Sequence, residues 1–319
     1  MIKTLLDLLS RFREMGDREA ICYYDGFRTS KLSYSQLLSS SGSFAQFLDQ
    51  AGIKKGDRLL LWGENRPEWV SSFWGAVARG VHVVPIDPSF SIDFVRRVAS
   101  ATDARLLVHG DSVQANSFTS PRLSYRTMRE LPPAPLQPIE IDDDDVVEII
   151  FTSGTTGDPK GVVHRHRNLC ANLSPIHQEI SRYRWIAAPF QPIRILNLLP
   201  LSHMFGQSMS LFIPGLLGGS SVFVAGSGMH SSVDAIRRER VSVLVCVPRL
   251  LAQLADSLQH RVDLPERRIR ATGVVGVAER WWKYRQVHKL FGLKFWAIVV
   301  GGAHLNQDLE SFWTRLGYL

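Results

Sequence analysis

The 319-residue sequence is 45% hydrophobic and 21% charged, proportions that are typical of a globular protein and exclude an intrinsically disordered chain. The formal net charge of +7 favours anionic partners without choosing among nucleotides, nucleic acids and acidic lipids. Three cysteines lie far apart at Cys22, Cys170 and Cys246. This spacing predicts reduced thiols and a cytoplasmic protein rather than a disulfide framework.

Strands and helices alternate at short spacing through the first part of the chain. An amphipathic helix at the N-terminus precedes a strand over 19–24 and a hairpin turn at Asp25-Gly26. Helices are then predicted over 33–50, 65–80 and 91–101, and strands over 58–62, 81–85 and 105–109. This alternation predicts an α/β fold with mostly parallel sheets flanked by helices.

The composition changes between residues 132 and 145, where four prolines precede Asp142 to Asp145. We interpret 132–145 as a linker between a first α/β portion, 1–131, and a second portion, 146–319. Four adjacent aspartates could bind a metal ion. Because no other ligand type accompanies them, a solvated turn is the preferred interpretation.

The second portion continues the alternation of strands and helices. After a strand over 146–151, Asn168 is predicted to cap a helix. Helices are predicted over 208–217, 231–240, 249–258, 279–291 and 306–316, and strands over 194–199, 221–225, 241–247 and 295–300. No charged residue lies between Arg194 and Asp234, but glycines and prolines interrupt this stretch, so a buried core is preferred to a membrane span.

The strand over 146–151 leads into a Gly-, Ser- and Thr-rich loop that is suited to binding an anion. Glycines let backbone N–H groups approach closely, hydroxyls add donors, and Lys160 adds a positive charge. The loop lacks the Walker spacing, because Gly161 follows the lysine. The alternative is an ordinary surface loop. The predicted phosphate-binding residues are Thr152, Ser153, Gly154, Thr155, Thr156, Gly157 and Lys160.

The order strand, then Thr-Ser-Gly-Thr-Thr-Gly-x-Pro-Lys-Gly, closely resembles the phosphate-binding signature of the adenylate-forming superfamily, which includes acyl-CoA synthetases and luciferases. The segment Leu-Pro-Leu-Ser-His-Met-Phe-Gly resembles a second signature, in which the residue matching His203 borders the carboxylate site. Its Leu-Ser-His-Met-Phe form is most similar to the long-chain fatty-acyl branch. Gly301, Gly302 and Ala303 match a turn that packs against adenine and the acyl group, although His304 replaces the usual proline.

The resemblance implies an incomplete N-terminal domain of the adenylate-forming fold. Members use ATP and Mg²⁺ to convert a carboxylate, here a fatty acid or a related acid, into an acyl-adenylate, and most pass the acyl group to CoA. Lys160 and His203 are the expected catalytic residues, with the loop and Gly301 to Ala303 around the nucleotide. The family's Thr-Glu motif and C-terminal domain are not found, so we expect a catalytically incomplete fragment whose missing portion lies in trans or outside it.

Three alternatives stay open. The acid could be of another kind, the reaction could stop at the acyl-adenylate, or the chain could be a non-catalytic remnant that binds a nucleotide or a partner. No nucleic-acid partner is expected, because the positive charge is not concentrated. The basic, aromatic segment 281–291 is interpreted as a helix with a core face and a solvated face, and peripheral contact with the inner face of the membrane is the alternative. His164, His166 and Cys170 have metal-ligand types, but their place after the phosphate loop argues against zinc.

Overall fold

A computed structural model of the chain describes residues 2–115, 118, 121–152, 159–187, 191–226, 229–262, 264 and 273–319. The strands are β1 (Glu19–Tyr24), β2 (Thr29–Ser33), β3 (Arg58–Trp62), β4 (His82–Ile86), β5 (Leu106–His109), β6 (Arg122–Ser124), β7 (Val146–Thr152), β8 (Lys160–Arg165), β9 (Arg194–Asn197), β10 (Ser220–Val224), β11 (Val243–Cys246) and β12 (Ala297–Val300). The helices are α1 (Leu6–Met15), α2 (Tyr34–Gln50), α3 (Pro67–Ala78), α4 (Ile92–Thr102), α5 (Tyr125–Met128), α6 (His166–Ala187), α7 (Met204–Gln207), α8 (Ile213–Leu217), α9 (Met229–Arg238), α10 (Pro248–Arg261), α11 (Gly273–Lys283), α12 (Arg285–Phe291) and α13 (Gln307–Leu316).

The strands form two six-stranded sheets, ordered β6-β5-β3-β4-β7-β8 and β12-β11-β9-β10-β1-β2. All neighbouring strands are parallel except at one edge of each sheet, where β8 and β2 run antiparallel. The prediction of mostly parallel sheets flanked by helices is therefore confirmed. The β1–β2 hairpin joins the second sheet through β10, and β7 joins the first sheet through β4. The portion boundaries at 131 and 146 stay a prediction, and each sheet contains strands from both portions.

Helix α3 lies in the core between the two sheets. All of its residues are buried, and its polar side chains have partners: the Ser71 and Ser72 hydroxyls donate to carbonyls one turn earlier, and Glu68 pairs with Arg129. Pro67 occupies the first turn, where a missing N–H leaves no helical hydrogen bond unmade. The rings of Phe73 and Trp74 lie 6.0 Å, centroid to centroid, from the ring of Phe212, which follows α7. This aromatic contact fixes the position of the segment after α7.

The helix predicted over 208–217 begins earlier than expected. Helix α7 starts at Met204, directly after His203, and a π-helical turn over Ser208–Phe212 joins it to α8. Pro214 has no N–H to donate to the carbonyl of Ser210, four residues before it. The hydroxyl of Ser221 donates to that carbonyl instead, at 2.6 Å. The irregular turn therefore has a local cause in the proline.

The helix that Asn168 was predicted to cap begins earlier than expected. Helix α6 begins at His166, so Asn168 lies within its first turn, where its side-chain oxygen accepts a hydrogen bond from the Arg165 N–H at 3.0 Å. The proline-rich segment 132–141 packs on α2, with Leu136 buried, and the interpretation of 132–145 as a linker stays a prediction. A Cβ on Gly42 would lie 2.1 Å from the carbonyl oxygen of Ala134, so glycine permits this close approach. Asp142 to Asp145 form a turn.

Candidate functional site

The β7–β8 hairpin carries the two ends of the predicted phosphate loop. Thr152, the last residue of β7, pairs with Lys160, the first residue of β8. The side chain of Lys160 is exposed and has no ion-pair partner within the described part of the chain. A lysine at the mouth of a Gly- and Thr-rich loop fits an anionic ligand. Ser153, Gly154, Thr155, Thr156 and Gly157 lie outside the described residues.

His203 lies at the beginning of α7, where it occupies the position preceding the first helical residue. The backbone N–H of His203 donates to the carbonyl of Pro200 at 3.2 Å, and this hydrogen bond closes a turn between β9 and α7. The imidazole is 57% exposed, and its Nε2 lies 3.4 Å from Asp87 Oδ2. Because a carboxylate can only accept, Nε2 is the donor in this contact.

Asp87 was not predicted from the sequence. It follows β4, and its side chain is 12% exposed. The hydroxyl and N–H of Ser89 donate to Oδ1 at 2.6 and 2.8 Å, and the Ser202 hydroxyl lies 3.4 Å from Oδ2. Burial by itself raises the pKa of Asp87, but the donors on His203 and Ser89 outweigh it and lower this pKa to about 2. The available signal was an aspartate directly after a parallel strand, where sites of α/β proteins form.

Glu148 is the second residue that the sequence analysis missed. It lies on β7 with no exposed surface. Its Oε1 is 3.1 Å from His164 Nδ1 on the neighbouring strand β8, and its Oε2 accepts a hydrogen bond from Gln207 Nε2 at 2.8 Å. Buried carboxylates need such partners. The signal was one glutamate inside the apolar run 146–151.

The turn after β12 contains the predicted residues Gly301, Gly302 and Ala303. Gly302 has φ +81°, a conformation that favours glycine, and Ala303 is exposed. A Cβ on Gly301 would lie 2.6 Å from Cε1 of Phe205. The absence of a side chain at Gly301 therefore lets the Phe205 ring lie against the backbone.

Helix α7 brings the separate motifs together. His203 precedes it, Phe205 contacts the turn after β12, and Gln207 binds the strand that leads into the phosphate loop. One helical turn thus connects three segments that lie far apart in the sequence.

The loop before His203 is held by two asparagines. Asn65, after β3, donates to the carbonyl of Leu199 at 2.7 Å and accepts from the N–H of Leu201 at 2.9 Å. Asn197, at the end of β9, donates to Leu199 and to the carbonyl of Gly206, at 3.0 and 3.3 Å. These bonds fix a loop that contains no regular structure, and therefore fix where α7 begins.

The residues considered for zinc point to different partners. His164 binds Glu148, whereas the buried His166 accepts a hydrogen bond from the N–H of Leu5 at 3.1 Å. Burial lowers the pKa of His166 to about 4, and burial also raises the pKa of the Cys170 thiol to about 12. Across the described ranges, no group of three or more His, Cys, Asp or Glu residues could hold a metal ion.

The long uncharged stretch after Arg194 divides into short elements: β9, α7, α8, β10 and the π-helical turn. Among the residues with described positions, no helix combines the length and apolar character that crossing a bilayer requires.

The fold is that of the N-terminal domain of adenylate-forming enzymes. The crystal structure of VinN matches all of this chain and 72% of its own, with a TM-score of 0.75 and 21% identity. The O-succinylbenzoate CoA synthetase MenE of Bacillus subtilis, in complex with AMP, matches 98% of this chain and 71% of its own, with a TM-score of 0.73 and 20% identity. At these identities the likeness concerns the fold alone.

The chain belongs to the AMP-binding enzyme family, whose model matches residues 10–318. A curated relative, 4-coumarate–CoA ligase 3 of Oryza sativa subsp. japonica, is 28% identical over 265 residues, which are 78% of this chain and 47% of the relative. The chain therefore spans about half the length of that relative.

Proposed function

We propose that this chain is the N-terminal part of a cytoplasmic, ATP-dependent acid–CoA ligase that activates a fatty acid through an acyl-adenylate. The observation that supports it most directly is the convergence on α7, which joins His203, the turn at Gly301 and the strand entering the phosphate loop. ATP, Mg²⁺ and CoA are the co-substrates of the complete enzyme under this proposal.

In the proposed reaction, a carboxylate oxygen of the acid attacks the α-phosphorus of ATP, and pyrophosphate leaves. The attacking group belongs to the substrate, so the protein needs to supply position and charge. Lys160 and the loop from Thr152 to Gly157 would hold the β- and γ-phosphates and stabilise the departing pyrophosphate. His203, oriented by the contact of its Nε2 with Asp87, would border the carboxylate of the acid.

The chemical class of the acid is the finer part of the proposal. The Leu-Ser-His-Met-Phe form around His203, which resembles the long-chain fatty-acyl branch, supports a fatty acid. Phe205 and Gly301 would form an apolar wall for the acyl chain. Two similar proteins are named for 4-coumarate and O-succinylbenzoate, so an aromatic acid is the competing substrate.

The test is ATP–pyrophosphate exchange by the full-length protein, meaning this chain with any sequence that follows Leu319 in its gene. We expect exchange with palmitate that exceeds exchange with 4-coumarate or O-succinylbenzoate. Faster exchange with an aromatic acid would support the proposed ligase activity but contradict a fatty acid as the substrate. No exchange with any acid would contradict the proposed ligase activity.

A protein that binds a nucleotide without activating an acid is the second candidate, because the loop from Thr152 to Lys160 alone would suffice for binding. For the 319-residue chain, we propose ATP binding through this loop. Equilibrium binding of ATP by this chain, compared with exchange by the full-length protein, separates the two candidates.

A further inference from the structure

A second surface of the molecule combines exposed apolar and basic side chains. Trp282, at the end of α11, is 74% exposed, and Leu293, just beyond α12, is 73% exposed. Between them, Arg285 and Lys289 lie one helical turn apart on the exposed side of α12. The Arg285 guanidinium lies 5.7 Å from the centre of the Trp282 ring. We name Trp282, Arg285, Lys289 and Leu293 the basic–aromatic face.

The opposite side of α12 is part of the core. Val287, His288 and Phe291 are buried, and the Phe291 ring packs against Phe295 at 5.5 Å and Trp313 at 6.1 Å between ring centroids. This packing orients the helix, so Arg285 and Lys289 cannot turn inward without removing those rings from the core. The face is therefore a fixed feature of the fold.

Positive charge predominates around this face, although Glu279, just before it, pairs with Lys283. The sequence has no Asp or Glu from Arg280 to Gln307, and it contains five Lys or Arg residues in that interval. The exposed Arg237 of α9 lies nearby, since its Cα is 3.7 Å from the position that a Cβ on Gly292, at the end of α12, would take. Arg237, Arg285 and Lys289 have no carboxylate partner among the residues whose positions are described. Within the described part of the chain, these three cations are therefore not neutralised by a carboxylate.

We infer that the basic–aromatic face binds the surface of a membrane that contains anionic lipids. An indole and a leucine that are each about three-quarters exposed suit the boundary between headgroups and acyl chains. Cations beside them match the negative surface potential of such a membrane. A nucleic acid would use the cations but leave the apolar side chains in water. The inference does not depend on the ligase reaction.

The experiment is flotation of the 319-residue chain with vesicles of phosphatidylcholine alone or mixed with phosphatidylglycerol. We expect binding to the mixed vesicles that weakens as salt is added, and little binding to phosphatidylcholine alone. Lys289→Gln should lower the partition coefficient about fivefold, because a cation near an anionic surface contributes about 1 kcal/mol to binding, which corresponds to this factor. Lys289→Glu should lower the partition coefficient further. Trp282→Ala should lower it by at least about fivefold.

Phe27→Ala is the matched control, since Phe27 is 87% exposed on the turn between β1 and β2. It should bind vesicles as the unchanged chain does, and circular dichroism should show that all variants are folded. Absence of binding to the mixed vesicles would overturn the inference. Binding that Trp282→Ala leaves unchanged would overturn it as well, because charge alone would then account for the contact.

Discussion

His203 Nε2 lies 3.4 Å from Asp87 Oδ2, and the two residues come from different sheets. Asp87 follows β4 of the first sheet, and His203 follows β9 of the second. The orientation of the imidazole therefore depends on how the two sheets pack. Asn65, which follows β3, supports the same arrangement by holding the loop before His203.

Asp87→Asn should lower kcat for acid activation in the full-length protein by about tenfold or more, because the ring of His203 loses its charged acceptor and its fixed direction. The KM for ATP should change less. Pyrophosphate exchange at varied acid and ATP concentrations measures both constants. Ser89→Ala is the control, since it removes a donor from Oδ1 and leaves the contact through Oδ2 in place. Equal kcat values for Asp87→Asn and the unchanged protein would show that the contact does not position His203.

The depressed pKa of Asp87 predicts a pH dependence of stability. Its value falls from the usual 3.8 to about 2 in the folded protein. The ionised carboxylate therefore contributes about 2 kcal/mol above pH 4, and this contribution is lost as the pH falls through 2. Urea unfolding of the unchanged chain and of Asp87→Asn should give free energies whose difference is largest near pH 6 and narrows towards pH 2. A difference that stays constant with pH would contradict the assignment to this carboxylate.

Glu148→Ala should lower the free energy of unfolding by about 3 kcal/mol, because Gln207 Nε2 and His164 Nδ1 would lose a buried partner. Glu148→Gln should cost less, since an amide keeps the shape and one acceptor. Chemical denaturation measures both. Glu130→Ala, at an exposed acid, should change stability by less than about 0.5 kcal/mol. Equal losses for Glu148→Ala and Glu130→Ala would mean that the buried network contributes little.

Gly301→Ala should lower kcat/KM for the acid by about tenfold, because the added Cβ would lie 2.6 Å from Phe205 Cε1 and push the ring towards the proposed acyl pocket. Phe205→Leu in the same chain should restore part of the loss by removing the ring. Steady-state kinetics of both single variants and the double variant measure this coupling. Additive effects would contradict a direct contact between the two positions.

Lys160→Ala should weaken ATP binding by about 10- to 100-fold, since charge-assisted contacts with phosphate contribute about 1.5–3 kcal/mol each. Lys160→Arg should retain part of the affinity. Isothermal titration of the 319-residue chain with ATP measures the change. Lys54→Ala is the control, because Lys54 is also exposed but precedes β3, at the opposite end of the parallel strands. Unchanged affinity in Lys160→Ala would remove the role proposed for this lysine.

Local sequence patterns predicted most of the regular elements. The apolar run 58–62 became β3, and Pro248 begins α10 as expected of a first-turn proline. The predicted start of the helix at 208 was wrong. The observed start at Met204 depends on the contacts of Asn65 and Asn197 with the preceding loop, which the hydrophobic pattern of the sequence does not indicate. Asp87 and Glu148 escaped detection for the same reason.

Their roles depend on which strands become neighbours. Glu148 acquires its contact with Gln207 when α7 packs on β7, and Asp87 acquires its contact with His203 when the two sheets meet. Neither of these two packing arrangements can be read from residue patterns along the sequence. The phosphate role of Ser153 to Gly157 stays a prediction from sequence, since these residues lie outside the described part of the structure.

The pairing of β1 with β10 has a consequence for how the protein forms. Ile21 pairs with Ser221, so the earliest strand of the second sheet must wait during synthesis until β10 has left the ribosome. Until then, the β1–β2 hairpin exposes an unpaired edge that other chains can bind. Chaperone dependence during translation, and aggregation of chains that stop before β10, are the expected cellular signs of this topology.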